Sequence, residues 1–130
     1  MADTFVRHLV VGLAALDVSL GAALIAGGSA RASGPSFQTI NTLGGPEVWG
    51  FAFVVAGVLT FAAWFERHVT VLNACLLGTG ALYWFFALSF AYAAWVTAQA
   101  AFTGVVVYTA AGLFHAGLIP LNPVRRRGAG

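Results

Sequence analysis

Apolar residues run almost unbroken through four stretches, at 6–28, 48–65, 69–95 and 98–119, and the few charged side chains fall almost entirely between them. A helix needs about 20 apolar residues to cross the hydrocarbon core of a bilayer. None of the stretches alternates apolar and polar residues as the strands of a membrane barrel do. The pattern therefore predicts an all-α polytopic membrane protein, with residues 1–130 forming one integral domain folded as a four-helix antiparallel bundle. The linker Glu66-Arg67-His68 is too short for anything but a tight turn, and Ala98 to Ala100 follow the third stretch almost at once. Consecutive spans on either side of such links are antiparallel neighbours.

The one sizeable loop runs from Ser29 to Glu47. Pro35 suits the first position of a helix and Gly44 suits its end. Phe37, Ile40 and Leu43 recur every third residue among Gln38, Thr39, Asn41 and Thr42. That spacing fits a short amphipathic helix lying on the outer membrane surface; the alternative is an irregular loop. In either form, the loop is expected over the external end of the bundle.

Composition supports this class. The chain is 60% hydrophobic and 8% charged, too apolar for a soluble domain of 130 residues to cover itself with polar surface. All six basic residues are arginine, and no basic face carries the stacking groups that nucleic acid requires. Arg7, Arg67, Arg125, Arg126 and Arg127 share one side of a four-span layout and Arg31 stands on the other. The bias of basic residues towards the cytoplasm then puts the protein in the cell membrane with both termini cytoplasmic. Trp49, Tyr92 and Trp95 fall near the outer interface and Trp64 near the inner one. Ala30-Arg31-Ala32 resembles a signal-peptidase site, but the preceding apolar region is longer than a signal core and is interrupted by Asp17. The arginine triplet near the C-terminus reads as a stop-and-orient signal or as a headgroup-binding tail.

Small residues recur every fourth position in the first span, at Ala15, Ser19, Ala23 and Gly27, and a similar row in the fourth span holds Gly104, Gly112 and Ala116, interrupted by Tyr108. Such rows allow close helix approach in lipid, within one subunit or across a homo-oligomer.

Asp17 is the costliest residue for a bilayer and must face protein or water. At 1.5 Å per residue it lies roughly 17 Å from the cytoplasmic end, level with Tyr108, Thr109 and Thr79, whereas Asn73, Thr60 and His115 form a shallower layer. Asp17 is expected to face the bundle interior and meet a polar group of the third or fourth span, with Tyr108 and Thr79 as candidates. It reads as a proton or cation site, as a charge lining a water-filled lumen, or as a protonated hydrogen-bonding residue that fixes helix register. His8, His68 and His115 lack metal-ligand spacing, and Cys75 is a single residue within a span. Without paired carboxylates, a nucleophile elbow or a phosphate loop, no metal, cofactor or enzymatic activity is expected.

The run Ser36-Phe37, Ile40, Leu43 and Pro46-Glu47-Val48-Trp49-Gly50 through Gly57 resembles small four-span membrane proteins of actinobacterial phages and prophages, in which a loop ends on a Trp-Gly pair that opens a span. The resemblance covers about a third of the chain and implies a holin-like function, with subunits that oligomerise in the lipid bilayer and permeabilise it. Two alternatives stand beside it. The small multidrug resistance family also has four spans and an acid in the first, which makes proton-coupled transport through Asp17 the runner-up. That family's acid is a glutamate, and it has no counterpart to the loop from Ser29 to Glu47. The third reading is an accessory or immunity protein that binds a larger membrane partner.

Overall fold

The computed structural model describes residues 2–97 and 102–121. The protein is all-α, with no strand among the described residues. Helix α1 covers Ala2–Arg31, a 3-10 turn Pro35–Phe37 leads into α2 at Gln38–Thr42, and α3 (Gly45–Phe65), α4 (Val69–Val96) and α5 (Thr103–Leu118) follow. Three of these helices, α1, α3 and α4, are long and apolar enough to cross a membrane; α5 is a shorter apolar helix of 16 residues. The expected start of the fourth span at 98–101 and the arginine tail lie outside the described residues.

The exterior identifies the solvent. Phe5, Phe51, Phe65, Leu88 and Phe114 are each about two-thirds exposed, and many other large apolar side chains join them. A water-soluble protein does not leave such a contiguous apolar surface. In lipid that surface costs nothing, and the core must instead be held by close packing and polar contacts.

Helix direction follows from the contacts. Gly21 meets Gly50, and Ala14 meets Gly57, so α1 and α3 run antiparallel. Gly80 meets Gly112, and Phe90 meets Gly104, so α4 and α5 do too. These two pairings are the most extensive in the molecule, whereas α3 meets α4 over a smaller area and α1 barely touches α5. The fold is thus two helical hairpins, α1/α3 and α4/α5, set side by side.

The seam on α1 is not the row with four-residue spacing. Ala15, Ser19 and Ala23 are exposed and Gly27 is half-buried, while Val10, Ala14, Asp17, Gly21 and Leu24 turn inward. The geometry of the helix explains the difference. Four residues make 400° of rotation, so a strict four-residue row drifts around the helix, while alternating steps of three and four stay on one side. At Gly21 a side chain would strike the Gly50 carbonyl and Val54; at Gly50 it would meet the Gly21 carbonyl at 2.6 Å. On α5, Gly104 and Gly112 face α4, where they accommodate the Phe90 and Trp84 rings.

The turn between α3 and α4 is closed by three backbone bonds, including His68 N–H to the Ala63 carbonyl, and places Arg67 at φ 58. At the opposite end, the short helices pack over the end of the bundle, as expected of the loop. Ile40 is fully buried, Phe37 packs edge-on against Phe90, and only Leu43 of the predicted apolar trio is exposed. The Trp49 indole N–H donates to the Leu43 carbonyl at 3.0 Å, and its ring stacks on Phe85. These contacts hold the loop over α4.

Gly28 breaks α1 near this end with φ 52, and Glu47 Oε1 accepts the Ser29 N–H beside it at 3.3 Å. A Cβ at Gly28 would meet that oxygen at 2.8 Å. Gly28→Ala is therefore expected to lower stability by about 1–3 kcal/mol, since φ 52 with ψ −165 is a backbone conformation essentially reserved for glycine. Gly34→Ala, in open space with an ordinary φ of −70, serves as the neutral control. Thermal unfolding of both variants in one detergent checks this.

Candidate functional site

Two apolar clusters fill the interior. One, near the start of α1, joins Val6, Val10, Ala63, Leu72, Leu76 and Leu118; the other, towards the capping loop, joins Leu24, Ile40, Phe53, Tyr83, Phe86 and Phe90. Asp17 lies between them on α1. Its carboxylate reaches both helices of the other hairpin. Tyr83 Oη of α4 donates to Asp17 Oδ1 at 2.8 Å, and His115 Nε2 of α5 lies 3.1 Å from Asp17 Oδ2. Asp17 and His115 are 0% exposed.

Local structure explains how these groups converge. Gly57 of α3 leaves no side chain where Asp17 leaves α1: a Cβ there would sit 3.1 Å from the Asp17 Cβ. Gly80 and Gly112 bring α4 and α5 close enough for the imidazole to reach α1, with a Cβ at Gly80 falling 3.5 Å from that of His115. His115 is oriented along its own helix, where Nδ1 lies 2.8 Å from the Ala111 carbonyl. Tyr83 is held by rings, packed against Phe53 at 4.9 Å and His115 at 5.1 Å between centroids.

The hydrogen-bond inventory fixes how many protons this cluster holds. A carbonyl oxygen can only accept, so Nδ1 of His115 carries a hydrogen and donates it to Ala111. Nε2 and Asp17 Oδ2 then need one proton between them. Either Asp17 is the acid and Nε2 accepts, or His115 is the cation and the carboxylate accepts. Both arrangements have zero net charge, the form in which a carboxyl–imidazole pair is cheapest to bury. Tyr83 satisfies the second carboxyl oxygen, and among the described residues no buried side-chain polar atom lacks a partner.

The other expected partners are elsewhere. Thr79 is buried, but its hydroxyl donates to the Cys75 carbonyl of its own helix, and Thr60 does the same with Ala56. Tyr108 packs its ring on Phe86 and Phe90 and lies behind Tyr83, with centroids 6.2 Å apart. Thr109 is exposed, and Asn73 is half-buried near the start of α4. The two-layer division also fails for His115, which belongs to the layer of Asp17. Counting from span ends ignores that Cα–Cβ bonds tilt towards a helix N-terminus. Because α1 and α5 run in opposite directions, Asp17 and His115 lean towards one another. Tyr83 was missed because it reads as one more ring in an aromatic run. The available signal is its height on α4, about one turn above Asp17 by rise alone, with a side chain that leans back towards the acid.

Two shallow grooves lie outside this cluster. One of about 640 Å³ between α3 and α4 is floored by Ala52, Ala56, Ala74 and Gly78; one of about 480 Å³ at the capped end includes Gln38, Asn41 and Thr97. Neither is lined by a charged side chain. No group of three His, Cys, Asp or Glu side chains among the described residues could hold a metal ion. These features define a helical membrane protein in which, among the described residues, buried ionisable chemistry is concentrated at Asp17, Tyr83 and His115. No family model, curated protein or solved structure matches the chain.

Proposed function

We propose that the protein is holin-like: four spans with both termini in the cytoplasm, whose copies accumulate in the cell membrane, oligomerise and rearrange into a lesion. The observation that carries this reading is the division of polar and apolar surface. The helices' buried polar side chains, Asp17, Thr60, Thr79, Ser89 and His115, turn inward, and the outside is apolar. Parting the two hairpins turns that inner face towards water while the apolar face stays in lipid, which is what the wall of an aqueous lesion requires. The exposed small residues Ala15, Ser19 and Ala23 offer neighbouring copies a smooth surface for close approach. Residue charge supports the orientation, with Arg7 and Arg67 at one end of the bundle and Arg31 at the other. No step of this activity requires catalysis, a cofactor or nucleic acid.

The test is induced expression in a bacterium together with a cytoplasmic endolysin, following culture density and membrane potential. The expected result is a period of normal growth and then abrupt collapse, advanced by an energy poison. Continued growth with an intact potential at high expression overturns the reading.

A second reading, proton-coupled transport, is favoured by the buried acid that joins three helices. It predicts a cation-driven efflux that Asp17→Asn abolishes, with no collapse of the barrier. An accessory or immunity protein predicts neither phenotype unless its partner is present.

A further inference from the structure

The two hairpins are each held by close glycine contacts; between them, Asp17 of α1 is hydrogen-bonded to both Tyr83 of α4 and His115 of α5, and Cys75 of α4 meets Thr60 of α3. We infer that Asp17 and His115 form a one-proton clasp, closed while the pair holds a single proton and opened by its loss, so that protonation governs whether α4/α5 stays seated on α1/α3. This deepens the lesion-forming reading, and rests on it for its biological role, by supplying what keeps the monomer closed.

The proton count is the core of the inference. The Nδ1 hydrogen is committed to Ala111 at 2.8 Å, so the 3.1 Å contact between Nε2 and Oδ2 exists only while one proton lies between them. Its removal sets a carboxylate against an imidazole lone pair. Two acceptors then face each other inside an apolar bundle, and the layer carries an uncompensated negative charge. The surroundings cannot neutralise it. From α3 the residue against Asp17 is Gly57, which has no side chain. From α4 the facing titratable group is Tyr83, already donating its hydrogen to Oδ1, with Cys75 further down the helix and partly buried. From α5, Tyr108 lies behind Tyr83, and α1 has no other ionisable residue between His8 and Arg31. No arginine reaches this layer among the described residues. Water is the remaining means of solvating the charge, and it enters only if the hairpins part.

Asp17→Asn separates the clasp from its proton. A carboxamide can donate from Nδ2 to His115 Nε2 and accept from Tyr83, which reproduces the closed arrangement without a removable proton. Spin labels at Leu16→Cys and Leu113→Cys, both exposed positions on α1 and α5, in a Cys75→Ala background report the separation of the hairpins in lipid nanodiscs. As the pH is raised, the wild-type clasp is expected to gain a second, longer distance. The change should be reversible and follow the loss of one proton per chain, while Asp17→Asn keeps the single short distance throughout. A wild-type distance that stays fixed overturns the clasp, as does an equal response in Asp17→Asn. If Asp17→Asn does not fold, the wild-type titration decides alone, since a slope other than one proton per chain contradicts the proposal. Lysis plays no part in this readout, so the clasp and the lesion-forming function can fail separately.

Discussion

Replacing Asp17 with leucine is expected to lower the stability of the detergent-solubilised protein by about 2–4 kcal/mol, because two buried polar groups lose their partner at about 1–3 kcal/mol each. The orphans are the Tyr83 hydroxyl and His115 Nε2, both held in place by contacts that do not involve Asp17. The cost of holding a carboxyl group in lipid is borne by the unfolded, inserted chain as well, so its removal does not offset the loss. Interhelical hydrogen bonds in membranes average well under 2 kcal/mol where an unfolded chain finds other partners. Here the orphaned groups are fully buried, which places the effect in the upper part of that scale. Asp17→Asn should cost less than about 1 kcal/mol, since it keeps both bonds. Reversible unfolding followed by tryptophan fluorescence orders the three proteins. An equal loss in both variants would show that the charge, and not the bonding pattern, is what the bundle requires.

The second large effect belongs to the α1/α3 seam. Gly21→Val is expected to cost about 3 kcal/mol or more, at the upper end of overpacking. What its side chain meets is the Gly50 carbonyl and the backbone nitrogen of Val54, and a backbone cannot rotate away as a side-chain tip can. The double replacement Ser19→Leu and Ala23→Leu, on the outer face, should leave monomer stability within about 0.5 kcal/mol. In the lesion-forming reading the same double variant loses higher-order species in cross-linking and delays collapse. Thermal unfolding separates the two faces of α1, and cross-linking tests whether the outer face meets a second copy.

The contrast between these faces shows what the sequence makes legible. Hydropathy alone locates α1, α3 and α4 to within a few residues, because the bilayer demands length and apolarity and leaves little else to choose. It does not reveal which side of α1 faces inward. Small residues lie all around that helix, and a row with constant spacing of four catches the eye although the packing seam alternates three and four. The loop was legible in part: Pro35, the spacing of Phe37 and Ile40, and Trp49 all mark an ordered segment, but whether it rests on lipid or on α4 depends on Phe90 and Phe85, far away in sequence. The site follows the same rule. Asp17 announces itself by cost, while its partners are set by the direction in which side chains lean on opposed helices. That is why Tyr83 and His115, and not Thr79 and Tyr108, complete it. Threonine is a poor candidate for such a role in any helix, because its hydroxyl readily bonds to the carbonyl four residues back.

The central claim is that Asp17 and His115 share one proton inside a membrane-embedded bundle. Nitrogen-15 NMR of histidine-labelled protein in lipid bilayers tests it most directly, with His8→Gln and His68→Gln leaving His115 as the single labelled ring. The account predicts a protonated Nδ1 and an Nε2 resonance displaced by a strong hydrogen bond, with the displacement lost in Asp17→Leu and largely kept in Asp17→Asn. A neutral ring carrying its proton on Nε2, or a His115 spectrum indifferent to Asp17→Leu, would contradict it.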